Sequence, residues 1–220
     1  MIALVIGSTG LVGREIIKAL LARPDIEKVI SFVRRTSVRQ HEVGYEKLEE
    51  HVVDFEKIES WKSLIKGDIL FSALGTTRSQ AGSKEEQYKV DYQYQWDIAR
   101  IAKENGAHSY VLISSVGANA ESPFFYLQMK GELEKDIGIL GFKKIRILRP
   151  AALKGQREKP RLGERISTRI LDLALPLFPK TLKSQIRPID AKIVADVAVR
   201  SAFKEHLGTL VYNSSDIWID

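Results

Sequence analysis

Apolar and polar positions follow two rhythms along the chain. Short, nearly continuous apolar runs rich in β-branched residues alternate with stretches whose apolar positions recur at helical spacing. Ile2-Ala3-Leu4-Val5-Ile6 is the first run, and Leu11, Ile16, Ile17, Leu20 and Leu21 form the first helical stripe. Lys28-Val29-Ile30-Ser31-Phe32-Val33 is a second strand after a Pro24-Asp25 break, and residues 51–53 a short third one. Residues 56–65 read as a short helix closed by Gly67, 69–74 as the fourth strand, and 76–83 as a polar loop. Residues 84–105 read as a long amphipathic helix, 109–114 as the fifth strand, 123–140 as a helix and 144–148 as the sixth strand. Uninterrupted apolar strands separated by helices predict a parallel sheet covered on both faces.

After Arg149-Pro150 the rhythm changes. Residues 154–165 are basic and irregular, 166–177 are compatible with a helix, 191–203 with another, and 210–212 with a last strand. The fold class expected is α/β, a Rossmann-type doubly wound parallel sheet of about seven strands. Residues 1–220 form a single domain in this reading, with 151–220 a small substrate lid beyond the carboxyl ends of the strands.

The first strand runs into Gly7-Ser8-Thr9-Gly10-Leu11-Val12-Gly13 and then directly into a helix. Strand, glycine turn and helix together make a phosphate-binding argument. Glycine permits the tight turn, lets backbone approach a pyrophosphate, and lets helix and strand pack closely. The helix start then presents unpaired N–H groups to the phosphates. The spacing is G-x-x-G-x-x-G rather than G-x-G-x-x-G. At the end of the second strand, where an acid would select a free ribose 2′-hydroxyl, stand Arg34 and Arg35. Two guanidiniums suit a 2′-phosphate, so the cofactor expected is NADP(H). Asp54, just past the third strand, is expected near the adenine.

Tyr126 and Lys130 lie four apart in a helix and so share a face. An ammonium beside a phenol favours the phenolate and suits the tyrosine to general acid–base work. Ser114 and Ser115 close the fifth strand, where a hydroxyl can hold a carbonyl oxygen. Alone, Tyr-x-x-x-Lys carries little information; its position after a Ser-ending fifth strand, in a chain that opens on the glycine turn, gives it weight.

These pieces resemble the short-chain dehydrogenase/reductases, in particular their extended and atypical members. The matching residues are Gly7, Gly10 and Gly13, Asp54-Phe55, Ala73-Leu74-Gly75, Leu112-Ile113-Ser114-Ser115, Tyr126 with Lys130, and Arg149-Pro150. The stretch Phe125 to Glu132 is similar to the subgroup of the Tat-interacting tumour-suppressor oxidoreductase and its small bacterial relatives. The resemblance implies NADP(H) held along these segments, Pro150 included. It also implies a Ser115–Tyr126–Lys130 triad, with Lys130 on the nicotinamide ribose as well. Val90-Asp91 departs from the Val-Asn of many members.

Composition narrows the remaining classes. The chain has 220 residues, 44% of them hydrophobic, enough for a sizeable core. There is no cysteine, which excludes disulfides and thiolate chemistry and fits a reducing compartment; the cytoplasm is the expected address. No apolar run reaches the roughly 18 residues a membrane span needs. The four histidines fall at no metal-ligand spacing. The net charge of +6 favours anionic ligands. The basic residues between 143 and 169 lack interleaved aromatics, so a solvated face or an anion-attracting lid is expected there rather than a nucleic-acid surface. The expectation is therefore an NADPH-dependent reductase or dehydrogenase acting on a small carbonyl or alcohol. The alternative is an NADPH-binding regulator that acts through a protein partner.

Overall fold

The computed structural model describes residues 1–36, 44–154 and 187–219. The strands are β1 (Ile2–Ile6), β2 (Lys28–Val33), β3 (Leu48–Val52), β4 (Ile69–Ser72), β5 (Ser109–Ile113) and β6 (Lys144–Arg149). β7 (Leu153–Lys154) and β8 (Ile189–Asp190) pair in a small separate ladder, and β9 (Gly208–Asn213) returns to the main sheet. That sheet has seven strands in the order β3-β2-β1-β4-β5-β6-β9, all parallel. The chain winds outward from β1 to β3, crosses back to β4 on the other side of β1, and winds outward again. The crevice of such a sheet opens where β1 and β4 diverge.

Two helical layers cover the sheet. On one side lie α1 (Leu11–Leu21), α7 (Ala191–Ala202) and α8 (Ser214–Ile219); the other carries α5 (Tyr94–Glu104) and α6 (Phe125–Gly138). The central strand divides its side chains between them: Ala3 and Val5 join Val12, Ile16, Leu20, Val194 and Ala198, whereas Leu4 and Ile6 join Ile98, Ala102, Leu133 and Ile137. Alternation along one buried strand thus feeds both cores.

Several boundaries differ from those the sequence suggests. β3 begins at Leu48, earlier than 51–53, with Leu48 to His51 half-buried and Val52 exposed, because an edge strand needs no apolar run. Residues 55–65 are a chain of short turns, Phe55–Lys57, α2 (Ile58–Trp61) and Lys62–Leu64, rather than one helix. The loop 76–83 contains one helical turn, α3 (Arg78–Ala81), capped by the Thr77 hydroxyl. The long helix holds, but as α4 (Lys84–Tyr88), a π-helical turn over Lys89–Gln93, and then α5. Of the region 151–220 expected to form a lid, α7, β9 and α8 complete the sandwich: α7 packs along α1, and β9 pairs with β6. The helix at 166–177 and the basic stretch 155–169 lie outside the described residues.

One buried cation fastens this C-terminal part to the sheet. Arg146 on β6 is wholly buried and donates to the carbonyl oxygens of Ser201, Ile145, Gly208, Lys204 and His206. Burial pushes its guanidinium below its ordinary value, and carbonyl dipoles take the place of a counter-ion. Arg146→Met leaves these carbonyls without their donor. We expect a loss of about 3 kcal/mol and a fall in Tm of roughly 6–12 °C, measured by thermal and urea unfolding.

Candidate active site

The glycine turn sits at the crevice between β1 and β4. Gly7 has φ +79°, a left-handed conformation that suits glycine. A Cβ there would lie 2.4 Å from the carbonyl carbon of Ala73, and one on Gly13 would lie 2.1 Å from the Gly7 carbonyl oxygen. Gly7 and Gly13 are therefore required by the packing of the chain on itself. Gly10 is different: a Cβ would meet only the Gly7 oxygen at 3.1 Å and the Ala73 oxygen at 3.9 Å. Its outer side is free, which is what close approach of a phosphate needs. No side chain caps α1, so its first-turn N–H groups remain available. Thr9 and Gly10 are exposed, Leu11 is half-buried, and Val12 faces the core. Ser8 is buried, and its Oγ accepts from Ser31 Oγ at 2.6 Å, tying the turn to β2.

Arg34 and Arg35 follow β2 and are exposed. Asp54 is exposed, and one carboxylate oxygen accepts from the Glu56 N–H at 3.0 Å. Phe55, grouped with Asp54 in the expected cofactor site, instead buries its ring between Trp61 and Tyr94. Its side chain serves the core, because the turn after Asp54 points it inward. Ala73 and Leu74 are half-buried and Gly75 exposed at the end of β4. Pro150 is buried, and its carbonyl accepts from Val116 N–H at 3.0 Å.

On α6, Tyr126 is 38% exposed while Lys130, one turn on, is buried. The Lys130 ammonium lies 6.0 Å from the centre of the Tyr126 ring. Its partner is Asp91, Nζ to Oδ1 3.0 Å, with both side chains almost completely buried. Burial is the largest single influence and lowers the lysine; the charge and hydrogen bond of Asp91, with Tyr126 and Glu134, together outweigh it and hold Lys130 above its ordinary value. The two serines have different surroundings. Ser114 is buried and donates to Glu134 Oε1 at 2.5 Å, and Glu134 also receives Arg149. The side-chain hydrogen bonds of Glu134 hold Arg149 above its ordinary value. Ser115 is half-buried and, among the described residues, its hydroxyl makes only a long contact with the Val116 carbonyl, at 3.3 Å. The loop bearing Ser115 lies tightly on α6. Asn119 donates its N–H to the Leu127 carbonyl at 3.0 Å, and a Cβ on Gly131 would lie 2.1 Å from the Ala120 nitrogen.

Sequence reasoning missed the acidic partners, Asp91 and Glu134. A signal for both is present in the spacing. Gln87, Asp91 and Gln95 continue into Ile98, Ala99 and Ala102 on the buried stripe of the long helix, and Tyr126, Lys130 and Glu134 recur at intervals of four. A carboxylate on an inward stripe needs a buried cation.

Residues 7–163 match the family model described as NAD(P)H-binding. The chain belongs to the NAD(P)H-binding family. Among relatives of this NAD(P)H-binding protein, Protein FMP52, mitochondrial, of Candida albicans is 41% identical over 217 residues, covering 96% of this chain and 91% of that protein. Protein fmp52, mitochondrial, of Aspergillus fumigatus is 36% identical over 219 residues, with 97% and 92% covered. These names overturn the expectation of a cytoplasmic protein. Lack of cysteine speaks to redox conditions, which more than one compartment meets. Among solved structures, UDP-glucose 4-epimerase of Thermotoga maritima with UDP-glucose superposes with TM-score 0.70 at 16% identity, covering 97% of this chain and 76% of that one. MoeE5 in complex with UDP-glucose and NAD gives 0.71 at 16%, with 97% and 75% covered. At these identities the likeness is one of fold, a Rossmann-like nucleotide-binding architecture. Among the described residues no helix is long and apolar enough to cross a membrane.

The crowding at the three glycines separates folding from binding. Gly13→Ala is expected to lower Tm of the free protein by several degrees. Gly10→Ala is expected to leave Tm of the free protein nearly unchanged and to abolish the Tm rise on adding NAD(P)H. Thermal unfolding of both variants, with and without nucleotide, checks this.

Proposed function

We propose that the chain is an NADPH-dependent oxidoreductase of the short-chain dehydrogenase/reductase class, acting on a small carbonyl or alcohol substrate. The observation that carries this reading is the pair on α6: an exposed phenol, Tyr126, above a buried, charged Lys130. The Gly10 face and the uncapped start of α1 fit a dinucleotide pyrophosphate, the exposed Arg34 and Arg35 fit a 2′-phosphate, and the exposed Asp54, whose second oxygen lies 3.9 Å from the Lys57 ammonium, fits a place near the adenine. When bound, the nicotinamide supplies or accepts the hydride.

In this reading Tyr126 gives its phenol proton to the substrate oxygen, or takes one from it in the reverse direction. Lys130 stays charged beneath the ring, favours the phenolate that proton donation leaves, and donates to the nicotinamide ribose hydroxyls. Ser115, whose hydroxyl has no strong partner among the described residues, donates to the substrate oxygen and fixes it beside Tyr126. Ser114 is spent on Glu134, which supports choosing Ser115 for this role. The likeness of Phe125 to Glu132 to the Tat-interacting oxidoreductase subgroup supports the same chemistry. The names of the FMP52 relatives support a mitochondrial setting.

Two measurements test this. NADPH at 100 times its dissociation constant is expected to add about 2.7 kcal/mol to stability, with a much smaller gain from NADH. The NADPH preference is expected to vanish in Arg34→Ala/Arg35→Ala; equal shifts with both nucleotides would remove the NADP assignment. Against a panel of carbonyl compounds, Tyr126→Phe is expected to lose about a hundredfold or more of the native turnover and to retain NADPH binding. Native turnover in that variant would overturn the assignment of Tyr126. Tight NADPH binding without turnover of any compound by the native protein would instead make the nucleotide a ligand for a partner-binding protein.

A further inference from the structure

Asp91 sits where the long helix changes winding. Lys89–Gln93 form the π turn, and Gln95, wholly buried, donates to the Asp91 carbonyl at 2.7 Å while its own carbonyl accepts from Ser72 Oγ at 2.6 Å. The wider turn is thereby pinned to β4, and the Asp91 side chain is aimed into the protein. Each of its two oxygens has a task. Oδ1 receives the Lys130 ammonium at 3.0 Å, and Oδ2 receives the Thr76 N–H at 2.9 Å. A Cβ on Gly75 would come within 3.3 Å of Oδ1, so the loop after β4 lies directly on this carboxylate.

We propose that Asp91 is a two-armed positioning residue that holds the Ala73–Thr76 loop and the Lys130 ammonium as one unit, a task an asparagine cannot perform. The proposal rests on the reductase reading for its consequence and on geometry for its substance. The two donors meet different oxygens of Asp91, so an asparagine held in the same place sets its one oxygen against the Thr76 N–H or the ammonium and its N–H₂ group against the other donor. Among the described residues, Lys130 faces Asp91 from the π turn, Tyr126 and Glu134 from its own helix, and, behind Glu134, Arg149 from the end of β6. Glu134 is occupied by Arg149 and Ser114. Asp91 is thus the carboxylate bonded to Lys130. The loop it holds continues from β4 beside the glycine turn, and Ala73 packs against Gly7. A change in nucleotide position at the loop therefore reaches the lysine under Tyr126 through one side chain.

The charge on Lys130 gives the test its sign. In the native protein its folded value lies above the ordinary 10.5. Its contribution to stability is present in full below that pH and is lost only as pH rises through the folded value. In Asp91→Asn, burial is opposed only by Tyr126 and Glu134 among the described residues and is expected to drive Lys130 below its unfolded value. The variant then carries a penalty at neutral pH that is relieved as the lysine loses its proton.

The experiment is thermal unfolding of the full chain as native, Asp91→Asn, Lys130→Met and Asp91→Asn/Lys130→Met, at about pH 7 and about pH 10. Asp91→Asn is expected to fall about 6 °C or more below the native chain at neutral pH, with the gap at least halved at the higher pH. The double variant is expected to be more stable than the sum of the single losses. Hydrogen exchange reads the other arm: the Thr76 amide is expected to exchange faster in Asp91→Leu/Lys130→Met than in Asp91→Asn/Lys130→Met, where the amide oxygen still accepts. A pH-independent gap with additive losses, or an unchanged Thr76 amide, would overturn the proposal. With NADPH and a turned-over carbonyl, kcat of Asp91→Asn is expected to fall on the alkaline side, between pH 7 and 10, where the native profile is flat. The predicted stability pattern without turnover in either protein would refute the reductase reading and leave the role of Asp91 standing.

Discussion

The contact on which the rest depends is the crossing of three backbone segments at the end of β1. Gly7 presses on Ala73 at the end of β4, and Gly13 of α1 presses on Gly7, each at a distance no side chain fits. Because α1 is drawn so close, its start points into the crevice between β1 and β4. Because β4 is drawn so close, the loop after it lies beside the same crevice. The N–H groups at the start of α1, the loop that follows β4 and the helix turn that carries Asp91 are all located by this crossing. The third glycine, Gly10, is free of that constraint, and its open side is the part of the turn left for a ligand.

Around the crossing, the buried charges among the described residues are committed ones. Lys130 has Asp91, Glu134 has Arg149 and Ser114, and Arg146 has a set of carbonyl oxygens. An unpaired ion in any of these places would cost several kcal/mol. The arrangement divides labour between neighbours that look alike in sequence. Ser114 is a structural hydroxyl and Ser115 a spare one; Gly13 is a packing residue and Gly10 a clearance.

What the sequence makes legible follows from how local the cause is. β1, α1 and β2 fall where the apolar pattern puts them, because each buries a continuous stripe and is bounded by glycine, proline or the glycine turn. β3 is harder, since an edge strand made of Leu48, Glu49, Glu50, His51 and Val52 carries little apolar signal. The helix expected over 56–65 divides into short turns, Phe55 and Trp61 being pulled into the core while the Trp61 indole N–H donates to the Asp54 carbonyl. The π turn has no propensity signature; Gln95, just beyond it in the same helix, bonds it and is itself held by Ser72 on β4. The phenol–ammonium pair can be read from a spacing of four along one helix, but its counter-ion comes from another helix across a gap of 39 positions, and only the fold joins them. The roles expected of 151–220 blur for the same reason, as α7 and β9 take their places by contact with α1 and β6.

The packing of α7 along α1 has a consequence for biosynthesis. The two helices are separated by about 170 residues of chain. At ribosomal speeds of 5–20 residues per second, α1 waits roughly ten to thirty seconds for the helix that covers it. During that interval the side of α1 that packs along α7 lacks its cover on the nascent chain. α1 is thus made early and covered late, its packing completed only when α7 emerges.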